Sequence, residues 1–382
     1  MTKLYNLLFI VTIISCDPKN VTNEINAYTF ETLKIPIEEN FVPSITRNQY
    51  IDSDSGEYLA LYSKTSQSLE FFNLDTKQAT KSIKINREGP NGVGSFNGFT
   101  IASLDCLLLA SIPPKIQVLD FNGNKKRSIP VTDPKNKVNW LGSTNLVPFL
   151  FKGDTLFGSQ PFFSDIFKTS KGDAKQSTPF FQLNLSLGQP EVEWLEISRP
   201  EDEWDKGKKD PNLSWADRYD SIIVSPLSDH RLWIISKNKG KLLGYKEARS
   251  SHLNQFNILK DYPVGDQGMI KALEAGRYEI LLNDHFRDVF YRFFFAGIEL
   301  ESYILTPREL FTNKPRVGVL ILNKDLDVIG EHVFEDHSIE NWNSFVGRKG
   351  LYVSTNNPNR DDFDENFLRY DIIRFEGLEY ED

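Results

Sequence analysis

Cysteine is nearly missing from this 382-residue chain, which has only Cys16 and Cys106. Two cysteines cannot frame a disulfide-rich scaffold, and the five histidines show no spacing typical of zinc ligands. Positive charge is also scarce. Lys and Arg number 44 against 53 Asp and Glu, for a net charge of −9 and a pI near 5.3. The densest basic cluster, Lys206-Gly207-Lys208-Lys209, is neutralised by Glu201, Asp202, Glu203, Asp205 and Asp210 around it. Such a chain has no field with which to displace counterions from a phosphate backbone, and this excludes nucleic acid as a partner.

The signatures of common enzymes are missing as well. There is no G-x-S-x-G elbow, no H-E-x-x-H pair and no P-loop. Gly92-Val93-Gly94 with Gly98 misses the dinucleotide fingerprint by one residue and reads as a connector that needs positive φ. Asp362-Phe363-Asp364-Glu365-Asn366 starts like a calcium loop, but Phe367 and Ile373 stand where Gly and Glu are required. Asn323, Asp325 and Asp327 fail in the same way, so both segments read as acidic turns. No catalytic residue, cofactor or metal ligand is assigned; calcium held in a central channel by residues distant in sequence stays open.

What the chain does have is a large apolar complement, 40% hydrophobic and 13% aromatic, and an N-terminus of a recognisable kind. Lys3 precedes the apolar run at residues 4–14 (LYNLLFIVTII), too short for the roughly 20 residues that span a bilayer and right for a signal peptide. Ile13-Ile14-Ser15-Cys16 resembles the bacterial lipobox, in which a small residue precedes an acylated cysteine. The expected organisation is therefore a lipoprotein signal peptide over residues 1–15, a polar tether over 16–27 carrying lipid on Cys16, and one domain over 28–382. The protein would be exported and lipid-anchored in the cell envelope, on the outer membrane in preference to the inner. The alternative is a plain signal peptide with a Cys16–Cys106 disulfide.

The mature chain repeats one pattern six times: an apolar run, a turn, a second apolar run and a polar turn. The copies are residues 58–63 with 69–74, 107–112 with 116–121, 155–160 with 181–187, 232–237 with 241–245, 291–297 with 317–322, and 351–355 with 368–375. Their β-branched and aromatic content, bounded by Asn, Gly, Asp and Pro, is that of strands, and Asn122-Gly123 suits a type I′ hairpin turn. Several runs are continuously apolar, as strands covered on both faces are. Fourth strands are expected at residues 81–85, 127–131, 191–197, 252–259 and 327–334. The sixth copy has none, whereas residues 28–37 (YTFETLKIPI) form a strand without a nearby partner. The fold expected is all-β, a six-bladed β-propeller with the N-terminal strand closing the ring; the alternative is seven blades. Residues 161–179 and 299–315 read as insertions within hairpins.

The segment Arg87-Glu88-Gly89-Pro90-Asn91-Gly92-Val93-Gly94, between the first two copies, resembles the segment at that place in Bacteroidota lipoproteins of domain-of-unknown-function family 4221. The resemblance extends over the signal peptide and the blade rhythm. It implies a propeller and an envelope location, with no established activity.

In a propeller the connections from each fourth strand to the next first strand emerge on one face. Trp140, Trp204, Trp215 and Trp342 fall on the connections expected here, with Arg87, Glu88, Asn91, Arg218 and Tyr219. Trp, Tyr and Arg dominate binding hot spots, and the same side chains also serve as wedges between blades. The expected function is binding of a partner protein, peptide or glycan by a monomer through this face. The alternative is a hydrolase or lyase with an acidic or metal site in the central channel.

Overall fold

In the computed structural model, residues 24–133, 138–160, 165–340 and 342–380 are described. Their strands form six four-stranded antiparallel sheets. β1 (Ala27–Pro36) is set apart; blade 1 is β2 (Pro43–Ser53), β3 (Gly56–Ser63), β4 (Ser68–Asn73) and β5 (Gln78–Lys84). Blade 2 is β6 (Ser95–Ser103), β7 (Cys106–Ile112), β8 (Lys115–Leu119) and β9 (Lys125–Pro130). Blade 3 is β10 (Leu150–Lys152), β11 (Thr155–Ser159), β12 (Phe180–Asn184) and β13 (Glu193–Trp194). Blade 4 is β14 (Leu213–Arg218), β15 (Ser221–Pro226), β16 (Arg231–Ser236) and β17 (Lys241–Glu247). Blade 5 is β18 (Arg277–Asp284), β19 (Val289–Phe295), β20 (Val317–Leu322) and β21 (Val328–Val333). Blade 6 is β22 (Ser344–Gly347), β23 (Gly350–Ser354) and β24 (Phe367–Phe375), with β1 as its outermost strand. The chain is a six-bladed β-propeller.

The middle strands explain the ring. Every residue of β19 (VFYRFFF) and β20 (VGVLIL) is buried, whereas the outer β17 alternates between exposed and half-buried positions. A strand apolar on both faces needs a blade on either side. Accordingly the core is six clusters of apolar side chains, one at each blade-to-blade interface. In four of the six neighbouring pairs of blades the first strands contact one another (β2 with β6, β14 with β18, β18 with β22 and β22 with β2), which puts them around the axis.

β1 closes the ring as expected. It pairs antiparallel with β24, Leu33 opposite Tyr370 and Ile35 opposite Leu368. Leu33 and Ile35 are buried in the cluster between blades 6 and 1, and each contributes roughly 1.5–3 kcal/mol by that burial. The final blade thereby has no open edge at β24.

Strand direction gives the ring two ends. The connections between blades and the turns from second to third strands lie at one end, the loop face. The turns from first to second and from third to fourth strands lie at the other, the turn face. β1, running against β24, starts at the turn-face end of blade 6.

Blade 4 corrects the sequence reading. Residues 232–237 and 241–245 are its third and fourth strands, not its second and third. The strand next to the axis, β14, is diluted by Ser214, Asp217 and Arg218 and lacks the apolar run of a middle strand. Residues 252–259 form no ladder; Phe256 makes an isolated bridge to Gly276. The 120–124 turn is also different from the type I′ form. Gly123 alone of its central pair has positive φ, 79°, and Asp120 Oδ1 accepts the amides of Asn122 and Asn124.

Candidate functional site

A cavity of about 660 Å³ lies on the loop face. Five segments wall it: the connection after blade 3 (Asp210), the insertion in blade 3 (Phe167), the turn between β15 and β16 (Ser228), the connection after blade 4 (Tyr262, Met269) and the insertion in blade 5 (Phe311). The described parts of both insertions anticipated within hairpins each carry a short capped helix. Ser170 and Asp173 make a capping box for α1 (Lys171–Gln176). α2 (Gln267–Glu274) contributes Met269 and Lys271 to the wall. Thr306 and Glu309 cap α3 (Pro307–Thr312), with Pro307 in its first turn. Leu273, Phe295, Ile298 and Leu310 form a separate apolar cluster that fastens α2 and α3 to blade 5.

Charge beneath this wall is matched. Glu279 accepts from Arg277 at 2.8 Å and from Lys314 at 3.0 Å, all three largely buried. Burial opposes ionisation of Glu279, but the two cations outweigh it and hold the carboxyl down to about 2. At the rim the Phe167 and Tyr262 rings lie 4.5 Å apart, and the Tyr262 hydroxyl bonds Asp165. Tyr262 and Val264 are more than half exposed, at 54% and 73%. The result is an open cavity of mixed polarity with an aromatic pair at its mouth, within the usual 300–1,000 Å³ of ligand sites.

None of the nine side chains singled out in the sequence lines this cavity. Trp215 is not on a connection: it sits in β14, 1% exposed, stacked 5.6 Å from Phe180 and donating Nε1 to Pro148 O at 2.7 Å. Trp204 is on the expected connection but buried, with Lys208 over its ring, so it wedges that loop in place. Arg218 and Tyr219 lie at the turn face, where Tyr219 donates to Asp288 at 3.1 Å beside a separate cavity of about 270 Å³. Trp140 is half-buried and packs against the cluster between blades 3 and 4. Asn91 ties its connection to the turn of blade 2, donating to Asn124 and accepting from the Lys125 amide. Glu88 is exposed, and Arg87 lines a small cavity between blades 1 and 2.

Near the loop-face end of the axis, Asn48 donates to Asn343 at 2.8 Å and its amide donates to Asn145 Oδ1 at 2.9 Å. Asn145 Nδ2 donates to the Trp342 carbonyl at 2.8 Å, so this buried asparagine network fixes where Trp342 sits. Beside it, Glu340 accepts from Ser354 Oγ at 2.9 Å and lines a cavity of about 500 Å³. Burial pushes its carboxyl up to about 7, against the opposing bonds from Ser354, Trp342 and Asn343. Among the described residues, no group of three or more His, Cys, Asp and Glu side chains is placed to hold a metal. Cys106 is a free, half-buried cysteine at the start of β7. Cys16 lies outside the described residues.

The cavity-lining segments carried one legible signal, the two insertions; Tyr262 and Met269 had none, because residues 252–259 imitate a strand. Comparison with known proteins adds a lineage. A search of curated proteins gives no match. The fold resembles the crystal structure of a DUF4221 member from Bacteroides vulgatus, with a TM-score of 0.80 at 23% identity over 93% of this chain and 99% of that one. It also resembles a putative exported protein from Bacteroides fragilis, with a TM-score of 0.55 at 9% identity over 93% and 97%. The family model described as Domain of unknown function (DUF4221) matches residues 24–333, most of the propeller, and the chain belongs to that family.

Proposed function

We propose that this protein is an envelope lipoprotein whose propeller binds a partner protein, peptide or glycan at its loop face. The observation that carries the reading is the 660 Å³ cavity with the Phe167–Tyr262 pair at its mouth. Connecting loops on a rigid ring are where binding surfaces are built, and an exposed aromatic pair offers stacking area to a sugar ring or a side chain. The anchor agrees with this choice of face. Seven residues separate Cys16 from Glu24, and β1 starts at the turn-face end, so lipid on Cys16 leaves the loop face directed away from its attachment.

The test is photo-crosslinking in cells from a probe at position 262, with a probe at position 219 on the turn face as the contrast. A discrete adduct from 262 that Met269→Arg abolishes is expected. Equal adducts from both positions, or adducts only from 219, would refute the choice of face. Mass spectrometry of the native N-terminus is expected to find acylated Cys16; an unmodified cysteine there removes the anchor.

A second reading, hydrolase or lyase, draws on Glu340, whose near-neutral carboxyl in a 500 Å³ cavity suits proton transfer. Turnover of an ester or glycoside panel that Glu340→Gln abolishes would favour it over binding alone.

A further inference from the structure

Between blades 1 and 2 both first strands leave regular pairing at one level. β2 shifts register between Pro43 and Asn48, and β6 between Phe96 and Phe99. Gly98, at φ +90°, lets the backbone of Ser143 come so close that a Cβ would stand 1.9 Å from its carbonyl oxygen. Bulges of this kind re-aim side chains. Here they open a cavity of about 160 Å³ at the interface, well below the size that takes a drug-like ligand.

Its polar lining is one-sided. Arg47 comes from β2, Tyr62 from β3, Lys64 from the turn after it and Arg87 from the connection between the blades; Ser44 and Thr46 add hydroxyls. No Asp or Glu lines it, and none of the three cations has an ion-pair partner among the described residues. In a chain of net charge −9, this is a local reversal. Arg47 reaches only neutral acceptors, at long distances of 3.3 Å to Phe99 O and 3.5 Å to Asn145 Oδ1. Tyr62 is 5% exposed, and its hydroxyl has no hydrogen-bond partner. A buried donor without an acceptor is an expensive thing to keep. Burial also holds the Arg47 guanidinium down to about 9, as expected of a cation without an anion beside it.

We propose that this cavity binds one oxyanion, a carboxylate, sulfate or phosphate, with Arg47, Lys64 and Arg87 supplying charge and the Tyr62 hydroxyl donating a hydrogen bond. The anion is a free small ion or the charged group of a larger ligand lying over the gap between the blades. The site goes beyond the loop-face reading and does not depend on the larger cavity.

The experiment is calorimetric titration of the full chain with sulfate, phosphate and acetate at matched ionic strength, beside Tyr62→Phe and Arg87→Ala. Saturable one-to-one binding at millimolar or tighter affinity is expected for at least one of the three. A stronger response to sulfate or phosphate identifies a tetrahedral anion, and a stronger response to acetate a carboxylate. Titration with the free ion and with a uronic acid then separates the two sources. Each variant is expected to weaken binding about tenfold, the scale of one hydrogen bond to a charged group. Tyr62→Phe is further expected to leave the unfolding midpoint of the unliganded protein unchanged or higher, because the hydroxyl it removes has no partner; a structural tyrosine would lower it. No saturable binding by any of the three anions, or binding that both variants leave unchanged, overturns the proposal.

Discussion

Arg292 is fully buried in β19, and among the described residues it forms no salt bridge, the Asp229 carboxylate acting on it only from a distance. Its Nε donates to Ser225 Oγ at 2.8 Å. Nη1 donates to the carbonyls of His230 and Ala248 at 2.9 and 2.7 Å, and Nη2 to those of Pro226 and Asp229 at 3.2 and 2.7 Å. The guanidinium also lies 3.3 Å from the centre of the Tyr278 ring. One side chain of blade 5 thus holds the 227–230 turn of blade 4, whose Ser228 lines the large loop-face cavity. Five hydrogen bonds from a charged group, at the low end of about 1.5 kcal/mol each, come to roughly 7 kcal/mol. Burial holds the cation down to about 10 from 12.5, so removing the charge returns about 3 kcal/mol. Arg292→Met is therefore expected to lower stability by about 4 kcal/mol, the range for breaking a buried charged network. Arg292→Lys, which keeps the charge with three donors in place of five, is expected to lose about half of that. Urea unfolding followed by tryptophan fluorescence measures both. A loss below about 1 kcal/mol for Met, or a larger loss for Lys than for Met, would refute the view that the donors rather than the charge hold this turn.

Glu340 gives a pH signature. Its carboxyl rises from 4.5 to about 7 on folding, so the folded state holds a proton that the unfolded state releases. Its contribution to stability is therefore full below about pH 4.5 and falls by up to about 3 kcal/mol as pH rises to about 7; His230 and His332, whose protonation burial disfavours, act in the opposite sense, so the readout is the difference in urea stability between wild type and Glu340→Gln, which should move against wild type across that window. Ile35→Ala, in the closing strand, should cost about 2–5 kcal/mol in guanidinium unfolding, although it lies more than 330 residues in sequence from its partner Leu368. A loss close to zero would mean that β1 is dispensable to the ring. Trp215→Ala should lower stability by about 3–5 kcal/mol, through the lost Phe180 stack and the bond to Pro148 O. An unchanged unfolding curve with loss of ligand capture would contradict the burial of Trp215.

The architecture was legible because middle strands such as 291–295 and 317–322 are apolar on both faces, a pattern that only stacking between blades satisfies. Closure was legible because residues 28–37 had strand chemistry and no local partner. Blade 4 was misframed for a related reason: next to the axis, Asp217 and Arg218 interrupt the apolar rhythm of β14, and residues 252–259 copy it without hydrogen-bonding a ladder. The site was the least legible part. Tryptophan suits a hot spot and a core wedge equally well in composition, and Trp204 and Trp215 are wedges. The cavity instead draws Phe167, Tyr262, Met269 and Phe311 from three segments whose convergence depends on blade order, which no local pattern encodes.

Pairing of β1 with β24 also sets an order in time. The first of the described strands has its ladder partner in the last, so its buried positions, Leu33 and Ile35, can find the blade 1 side of their cluster early but lack the blade 6 side until β24 is made. Blades 1 to 5 are each made of consecutive strands and can form as they emerge, but blade 6 waits for β24. A product truncated before β24 would keep five complete blades and leave β1 and β23 with open edges.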